Sequence, residues 1–400
     1  MTHKHKIIND PVWGFISIAQ PLVFRIIEHP YFQRLRRIKQ LGNTEMVYPG
    51  ANHTRFAHAL GAFCLMTKAV ELLREKRVEI TAEEEEALYC GILLHDIGHG
   101  PFSHSLEFSL IKDIHHEQLS LSIMQLLNQE FDGALDLCID IFLNKYHKQY
   151  LHQLISSQLD MDRLDYLTRD SFYTGVNEGI VGAERLIHML NVADNSLVIE
   201  EKGIYSVEKF LVARRLMYWQ VYLHKTVVVA DCMLQQILKR MAFLLKTEKM
   251  PTTLPLQLFL NESFSDYDSI LAAFLKLDDA DVSLVIKQGQ ESDDVVLKLL
   301  CNQFMQRNLW EIVLDTKPFD ESVFNAKLKE VQNRYSLDEK DAEFLVWQGS
   351  LVNNAYIQEG EDINILMKSG KLLDVAKASD NYNLDALKKK VTKYFITWSN

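Results

Sequence analysis

His95-Asp96-Ile97-Gly98-His99-Gly100-Pro101-Phe102-Ser103-His104-Ser105-Leu106-Glu107 packs three imidazoles and two carboxylates into 13 residues. The stretch before it reads as a helix. Thr81 stands three residues ahead of Glu84, the spacing of a capping box, and Glu83 to Glu86 put negative charge at the positive end of the helix dipole. Ala87, Leu88, Ile92, Leu93 and Leu94 continue it as an apolar run that Gly98, Gly100 and Pro101 cannot sustain. His95 and Asp96 are therefore expected in its last buried turn. Ionisable groups are costly there unless paired or metal-bound. Mixed imidazole and carboxylate donors suit one divalent transition metal such as Fe, Mn, Zn, Ni or Co.

Two flanking stretches carry the same residue types. Asn52-His-Thr-Arg55-Phe-Ala-His58-Ala-Leu-Gly61 precedes the cluster, and Leu159-Asp-Met-Asp162-Arg163-Leu-Asp-Tyr166-Leu-Thr-Arg-Asp170 follows it. Asp162, Tyr166 and Asp170 fall at four-residue steps, so one helix face presents two carboxylates and a phenol in a line. Arg55 projects from the same side as His58, and Arg214, Tyr218 and Tyr222 repeat the four-residue step on a third helix. Together these stripes outline a polar pocket between helices.

The order of histidine, His-Asp pair and aspartate resembles the HD superfamily, and more closely its deoxynucleoside triphosphate (dNTP) triphosphohydrolases. The resemblance runs from about residue 6 to 240, through Lys6-Ile-Ile-Asn-Asp-Pro11, Phe32-Gln-Arg-Leu-Arg36, Ile38-Lys-Gln40-Leu-Gly42, Pro49-Gly50, Arg55-Phe-Ala-His58, the His95–His104 cluster, His116-Glu-Gln118, Asp162-Arg-Leu-Asp-Tyr166 and Tyr222-Leu-His-Lys225. It implies that His58, His95, Asp96 and Asp162 hold the metal, and that the reaction releases deoxynucleoside and tripolyphosphate. His104 with Glu107 is the favoured acid/base pair, His116 a phosphate contact or alternative acid, and His99 a further phosphate-lining histidine. Arg55, Arg163 and Arg214 supply charge to the phosphates, to which Tyr166 donates a hydrogen bond. Mg2+ can accompany the nucleotide.

By the same resemblance Gln40 and Asp170 hydrogen-bond the 3′-hydroxyl, while Leu41 and Tyr222 crowd C2′ and exclude ribonucleotides. Tyr218 departs from a mammalian member, which has histidine there, so base contacts do not carry over. Lys6, Ile7, Asn9, Gln33, Arg36, His224 and Lys225 match positions that bind an activating nucleotide between subunits, and a homo-oligomer, dimer or tetramer, is implied. Glu28 stands where that member has a guanine-reading aspartate and Phe15 where it has a histidine, so guanine-specific activation does not carry over. Two other readings compete: an HD phosphohydrolase of a different nucleotide phosphate ester, and a nucleotide-binding regulatory protein without turnover.

The formal net charge of −11 speaks against constitutive nucleic-acid binding, which needs clustered Lys and Arg. Cys64, Cys90, Cys138, Cys232 and Cys301 are dispersed without a CxxC pair and read as reduced thiols of a cytosolic protein. No apolar run is expected to reach the roughly 20 residues that span a bilayer. Helical periodicity around 53–76, 151–170 and 206–246 predicts a mainly α protein, with an all-helical lobe over 1–245. A smaller α+β lobe is expected over 246–400, where Asp362-Ile-Asn-Ile-Leu-Met and Leu372-Leu-Asp-Val should form strands joined across Lys368–Lys371.

Overall fold

The structure, a computed structural model, describes residues 6–102, 114–246, 252–353, 362–380 and 390–400. A hairpin of β1 (Lys6–Asp10) and β2 (Gly14–Ile18) is followed by α1 (Pro21–Glu28), the single turn α2 (Pro30–Gln33), α3 (Arg55–Glu75) and α4 (Ala82–Leu94). Then come α5 (His116–Glu130), α6 (Asp136–Phe142), α7 (Gln149–Ile155), α8 (Met161–Thr174) and α9 (Ala183–Met189). A second hairpin, β3 (Leu190–Ala193) with β4 (Ser196–Glu200), leads to α10 (Ile204–Met217), a wide turn at Tyr218–Tyr222 and α11 (Lys225–Leu245).

The capping box forms as expected: Thr81 N–H donates to Glu84 Oε2 at 2.9 Å and Glu84 N–H to Thr81 Oγ1 at 3.2 Å. The 151–170 segment is two helices rather than one, because Asp160 turns its carboxylate onto the Arg163 amide and starts α8 afresh. Two hairpins also interrupt the helical part. The second turns at Asp194-Asn195, both at positive φ, which these short polar residues tolerate.

α3 corrects the expectation about apolar runs. It is long and apolar enough to cross a membrane, with a mean hydropathy of 1.4 over its most apolar window, but 78% of that window is buried inside the protein. It is the central core helix, packed on α4 and α8. All five cysteines are buried and unbridged, and burial pushes the Cys138 and Cys301 thiols up to about 12.

Beyond α11 the chain forms α12 (Leu254–Leu260), α13 (Tyr267–Phe274), α14 (Asp279–Gly289), α15 (Val295–Met305), β5 (Glu311–Asp315), α16 (Glu321–Tyr335), β6 (Val346–Asn353), β7 (Asn364–Leu366), β8 (Leu372–Asp374) and β9 (Val391–Trp398). This is the α+β composition expected. β7 and β8 pair antiparallel, and the Met367 amide donates to Lys371 O at 2.9 Å across a turn with Gly370 at φ +81°. β7 also pairs in parallel with β4, so one sheet joins both parts of the chain. β5, β9 and β6 make a separate antiparallel sheet, and one buried apolar cluster runs from Ile16 to Trp398.

Candidate active site

Three helices bring together groups that could hold a metal ion. His58 sits in the first turns of α3, His95 caps α4, and Asp162 lies in the first turn of α8. One donor atom from each falls within 4.8 Å of the others. Asp162 Oδ1 is 3.0 Å from His58 Nε2 and 3.4 Å from His95 Nε2, and Asp96 Oδ2 is 3.7 Å from His58 Nε2. Asp96 is also shared: Arg55 Nη1 donates to its Oδ2 at 2.6 Å, and its Oδ1 lies 3.3 Å from His99 Nε2.

This donor set fits a divalent cation. Nε2 of His58 and of His95 are both buried without a hydrogen-bond partner. The other ring nitrogens are engaged, His58 Nδ1 with Asp165 Oδ2 at 2.8 Å and His95 Nδ1 with Ile92 O at 2.7 Å. Each Nδ1 thus keeps its proton, and Nε2 is the atom a cation would take, displacing the proton it otherwise carries. Burial alone would strip a proton from His58, but Asp162 and Asp165 outweigh it and hold the imidazole at about 10; the same balance, with Asp96 and Asp162, holds His95 at about 9. The carboxylates demand positive charge here. Burial and then the Arg55 charge push His99 down to about 3, so that ring is neutral.

A cavity of about 600 Å³ opens on His95, Asp96, Asp162, His116 and Arg163. His116, at the start of α5, stacks on His99 with ring centroids 4.2 Å apart. Arg163 donates from Nε to Ser157 O at 2.6 Å. Arg214 is buried, bonds Gln158 Oε1 from Nη1 at 3.1 Å and keeps an Nε without a partner. His104 and Glu107 lie outside the described residues.

The residues assigned to the sugar form a second cluster that does not line this cavity. Tyr222 donates to Asp170 Oδ2 at 2.8 Å, and His53 Nε2 is 2.7 Å from Asp170 Oδ1. Gln40 N–H donates to His53 O at 2.9 Å, while its own Oε1 is buried without a partner. Leu41 is half-buried against the core. Tyr166 and Tyr218 pack edge-on against Tyr222, with centroids at 6.2 and 5.2 Å.

The residues matched to an activator site fall into two groups. Lys6 pairs with Glu28 at 2.7 Å and Gln33 accepts from Arg36 at 2.8 Å, while Ile7 and Asn9 are exposed on β1. His224 caps α11 beside Lys225, its Nδ1 accepting from Thr226 N–H at 3.2 Å.

Several contributors escaped the sequence reading. Gly98, read from the sequence only as a helix stop, also makes room: a Cβ there would lie 2.2 Å from His116 O. Ser120 threads that gap, its Oγ accepting from Gly98 N–H at 2.9 Å and donating to His95 O at 2.8 Å. Arg34 is fully buried and donates to the carbonyls of Ile97, His99 and Leu277. Burial lowers its guanidinium to about 9. Asp279 takes the amides of Lys39 at 2.8 Å and Phe102 at 3.1 Å. His53 and Asp165 sat inside quoted motifs, and only their residue types could have marked them.

Two family descriptions match the chain: "HD domain" over residues 55–170 and "HD associated region" over 181–254. The chain is 30% identical to the Bacillus subtilis protein YwfO over 388 residues, covering 94% of this chain and 88% of that one. It is 31% identical to human deoxynucleoside triphosphate triphosphohydrolase SAMHD1 over 273 residues, covering 57% of this chain and 43% of the human protein. A crystal structure of a phosphohydrolase from Bacteroides thetaiotaomicron superposes with a TM-score of 0.95 at 45% identity, over 99% of this chain and all of that one.

Proposed function

The chain belongs to the HD-domain phosphohydrolases, metal-dependent enzymes whose members related to it include dNTP triphosphohydrolases, and from that premise we propose that it hydrolyses dNTPs to deoxynucleoside and tripolyphosphate. The observation that carries this reading is the pair of orphaned Nε2 atoms of His58 and His95 facing Asp162, beside a cavity bordered by His116 and Arg163.

His58, His95, Asp96 and Asp162 would hold the metal. When bound, a divalent ion there polarises a phosphoryl oxygen and makes a water nucleophilic near neutral pH. In the reaction a water oxygen bonds to the α-phosphorus, the bond from phosphorus to O5′ breaks, and O5′ takes up a proton. Arg55, Arg163 and Arg214 neutralise the phosphate oxygens in a buried setting, where each charge counts for more than in water. His99, held neutral, turns its single N–H from Nε2 toward Asp96 Oδ1 and so orients that carboxylate rather than supplying a proton. The proton for O5′ is assigned to His104, oriented by Glu107, with His116 as the alternative donor.

Gln40 and Asp170 recognise the 3′-hydroxyl, and Leu41 with Tyr222 leaves no room beside C2′. The unpaired Gln40 Oε1 and Arg214 Nε support this reading, since buried polar atoms without partners are uncommon away from ligand sites. An activating nucleotide at Lys6, Ile7, Asn9, Gln33 and Arg36, with His224 and Lys225 of a second copy, completes the proposal as a homo-oligomer. Ion chromatography after incubation with dATP and Mn2+ tests the reaction. Tripolyphosphate in equal amount to deoxyadenosine supports it; orthophosphate or pyrophosphate with the corresponding nucleotide overturns it.

A further inference from the structure

His58 can present Nε2 to a cation only while Nδ1 keeps its proton and the ring keeps its orientation, and both depend on Asp165. That carboxylate is fully buried and fully engaged. Its Oδ2 takes His58 Nδ1 and Arg169 Nε, at 2.8 and 2.9 Å. Its Oδ1 takes Arg169 Nη2 at 3.0 Å and the indole N–H of Trp13. Arg169, also fully buried, turns its far side onto Asp10, with Nη1 to Oδ2 at 2.8 Å and Nη2 to Oδ1 at 3.2 Å.

Asp10 ends β1, and its Oδ1 also accepts the amides of Val12 and Trp13, both at 2.9 Å. The carboxylate that grips Arg169 therefore also folds the turn that carries Trp13. A continuous buried path of charge runs from the N-terminal hairpin through α8 to a metal-binding imidazole on α3.

Gly61, one turn beyond His58 on α3, is the independent sign that this path is built in. A Cβ at that position would lie 2.0 Å from Asp165 Oδ1 and 2.1 Å from Arg169 Nη2. Glycine inside a helix costs about 1 kcal/mol relative to alanine, and here it opens the space the ion pair occupies.

We propose that Asp10 and Trp13 are positioning residues for the metal centre, acting through Arg169 and Asp165 on His58. The inference rests on the metal reading above, though not on which nucleotide is cleaved. An N-terminal hairpin with no atom of its own in the cavity thus decides how firmly the cation is held.

Cobalt titration tests this, with Co2+ bound to metal-stripped full-length protein followed by its visible absorption. Trp13→Phe keeps an aromatic ring but removes the N–H together with the pyrrole part of the indole, Asp10→Asn removes the charge opposite Arg169, and Gly61→Ala crowds both partners. Ile16→Ala, a cavity on β2 outside the path, reports on general loosening of the hairpin. Trp13→Phe and Asp10→Asn should each weaken Co2+ binding about 10- to 100-fold, the range seen when partners of ligating histidines are removed. Ile16→Ala should lower the melting temperature and leave Co2+ affinity within about twofold. Wild-type affinity in Trp13→Phe overturns the inference, as does an equal loss in Ile16→Ala. A wild-type protein that binds no Co2+, Mn2+ or Fe2+ overturns the metal reading and the path with it, whereas failure to cleave dNTPs leaves the path standing.

Discussion

The turn from His95 to Phe102 is held from two directions, and the two parts of the chain contribute different kinds of atom. The helical part supplies side chains: imidazoles from α3 and α4, carboxylates from α8, and the Arg55 guanidinium on Asp96. The part beyond residue 245 supplies mainly backbone and helix-start groups. Leu277 O shares Arg34 with the carbonyls of Ile97 and His99, Asp279 grips the amides of Lys39 and Phe102, and the Phe274 ring lies against Gly100 and under Arg34. One part decides which ion and which phosphate chemistry are open to the protein. The other holds the turn in register.

Damage to the first kind of contribution should be the most severe. His95→Ala and Asp162→Ala should each lose the metal and at least about a thousandfold in kcat, since metal activation of water is removed whole. Elemental analysis of the purified variants checks this, and wild-type metal content in both would break the division of labour. Asp279→Ala should sharpen it. Each buried amide left without its acceptor costs about 1–3 kcal/mol, so stability and kcat should fall while metal content stays at the wild-type level, read by thermal denaturation beside the same elemental analysis.

His99 gives a pH signature of intermediate size. Its folded value of about 3 lies below the ordinary 6.5, so between those limits the unfolded chain binds a proton that the native chain refuses. Its contribution to stability is present above about pH 6.5 and is lost as pH falls toward 3. His99→Gln should flatten that acid-side decline in denaturant titrations, and should lower the rate without moving the acid limb of the pH–rate profile. Tyr222→Ala should have a smaller effect, cutting the preference for dATP over ATP about tenfold by opening the space beside C2′. The smallest basal effect belongs to Lys6→Ala with Arg36→Ala, which should leave the metal bound and unstimulated turnover intact while removing the response to added dGTP or GTP.

What was legible in the sequence follows from the same contrast. His58, His95 and Asp162 could be read because few residue types bind a cation, and because helical spacing and the glycines after His95 fixed where they sit. The hairpin at Lys368–Lys371 could be read because a positive-φ turn favours glycine. Arg34 could not, because Arg34, Arg36 and Arg37 look alike in a row and only the fold shows that one of them enters the core. Asp278 and Asp279 are two acids among many, and the carbonyl of Leu277 has no sequence signature at all. Asp10, Asp165 and His53 lay within quoted motifs, yet their work on other side chains emerged only with their distances.

The central claim, attack of water on the α-phosphorus of a dNTP at the His58, His95 and Asp162 centre, is tested most directly by turnover of dATP in ¹⁸O-labelled water with Mn2+, followed by mass spectrometry of the products. The account expects one ¹⁸O in tripolyphosphate and none in deoxyadenosine. Label in the 5′-oxygen of deoxyadenosine, or label appearing only in orthophosphate, would contradict it.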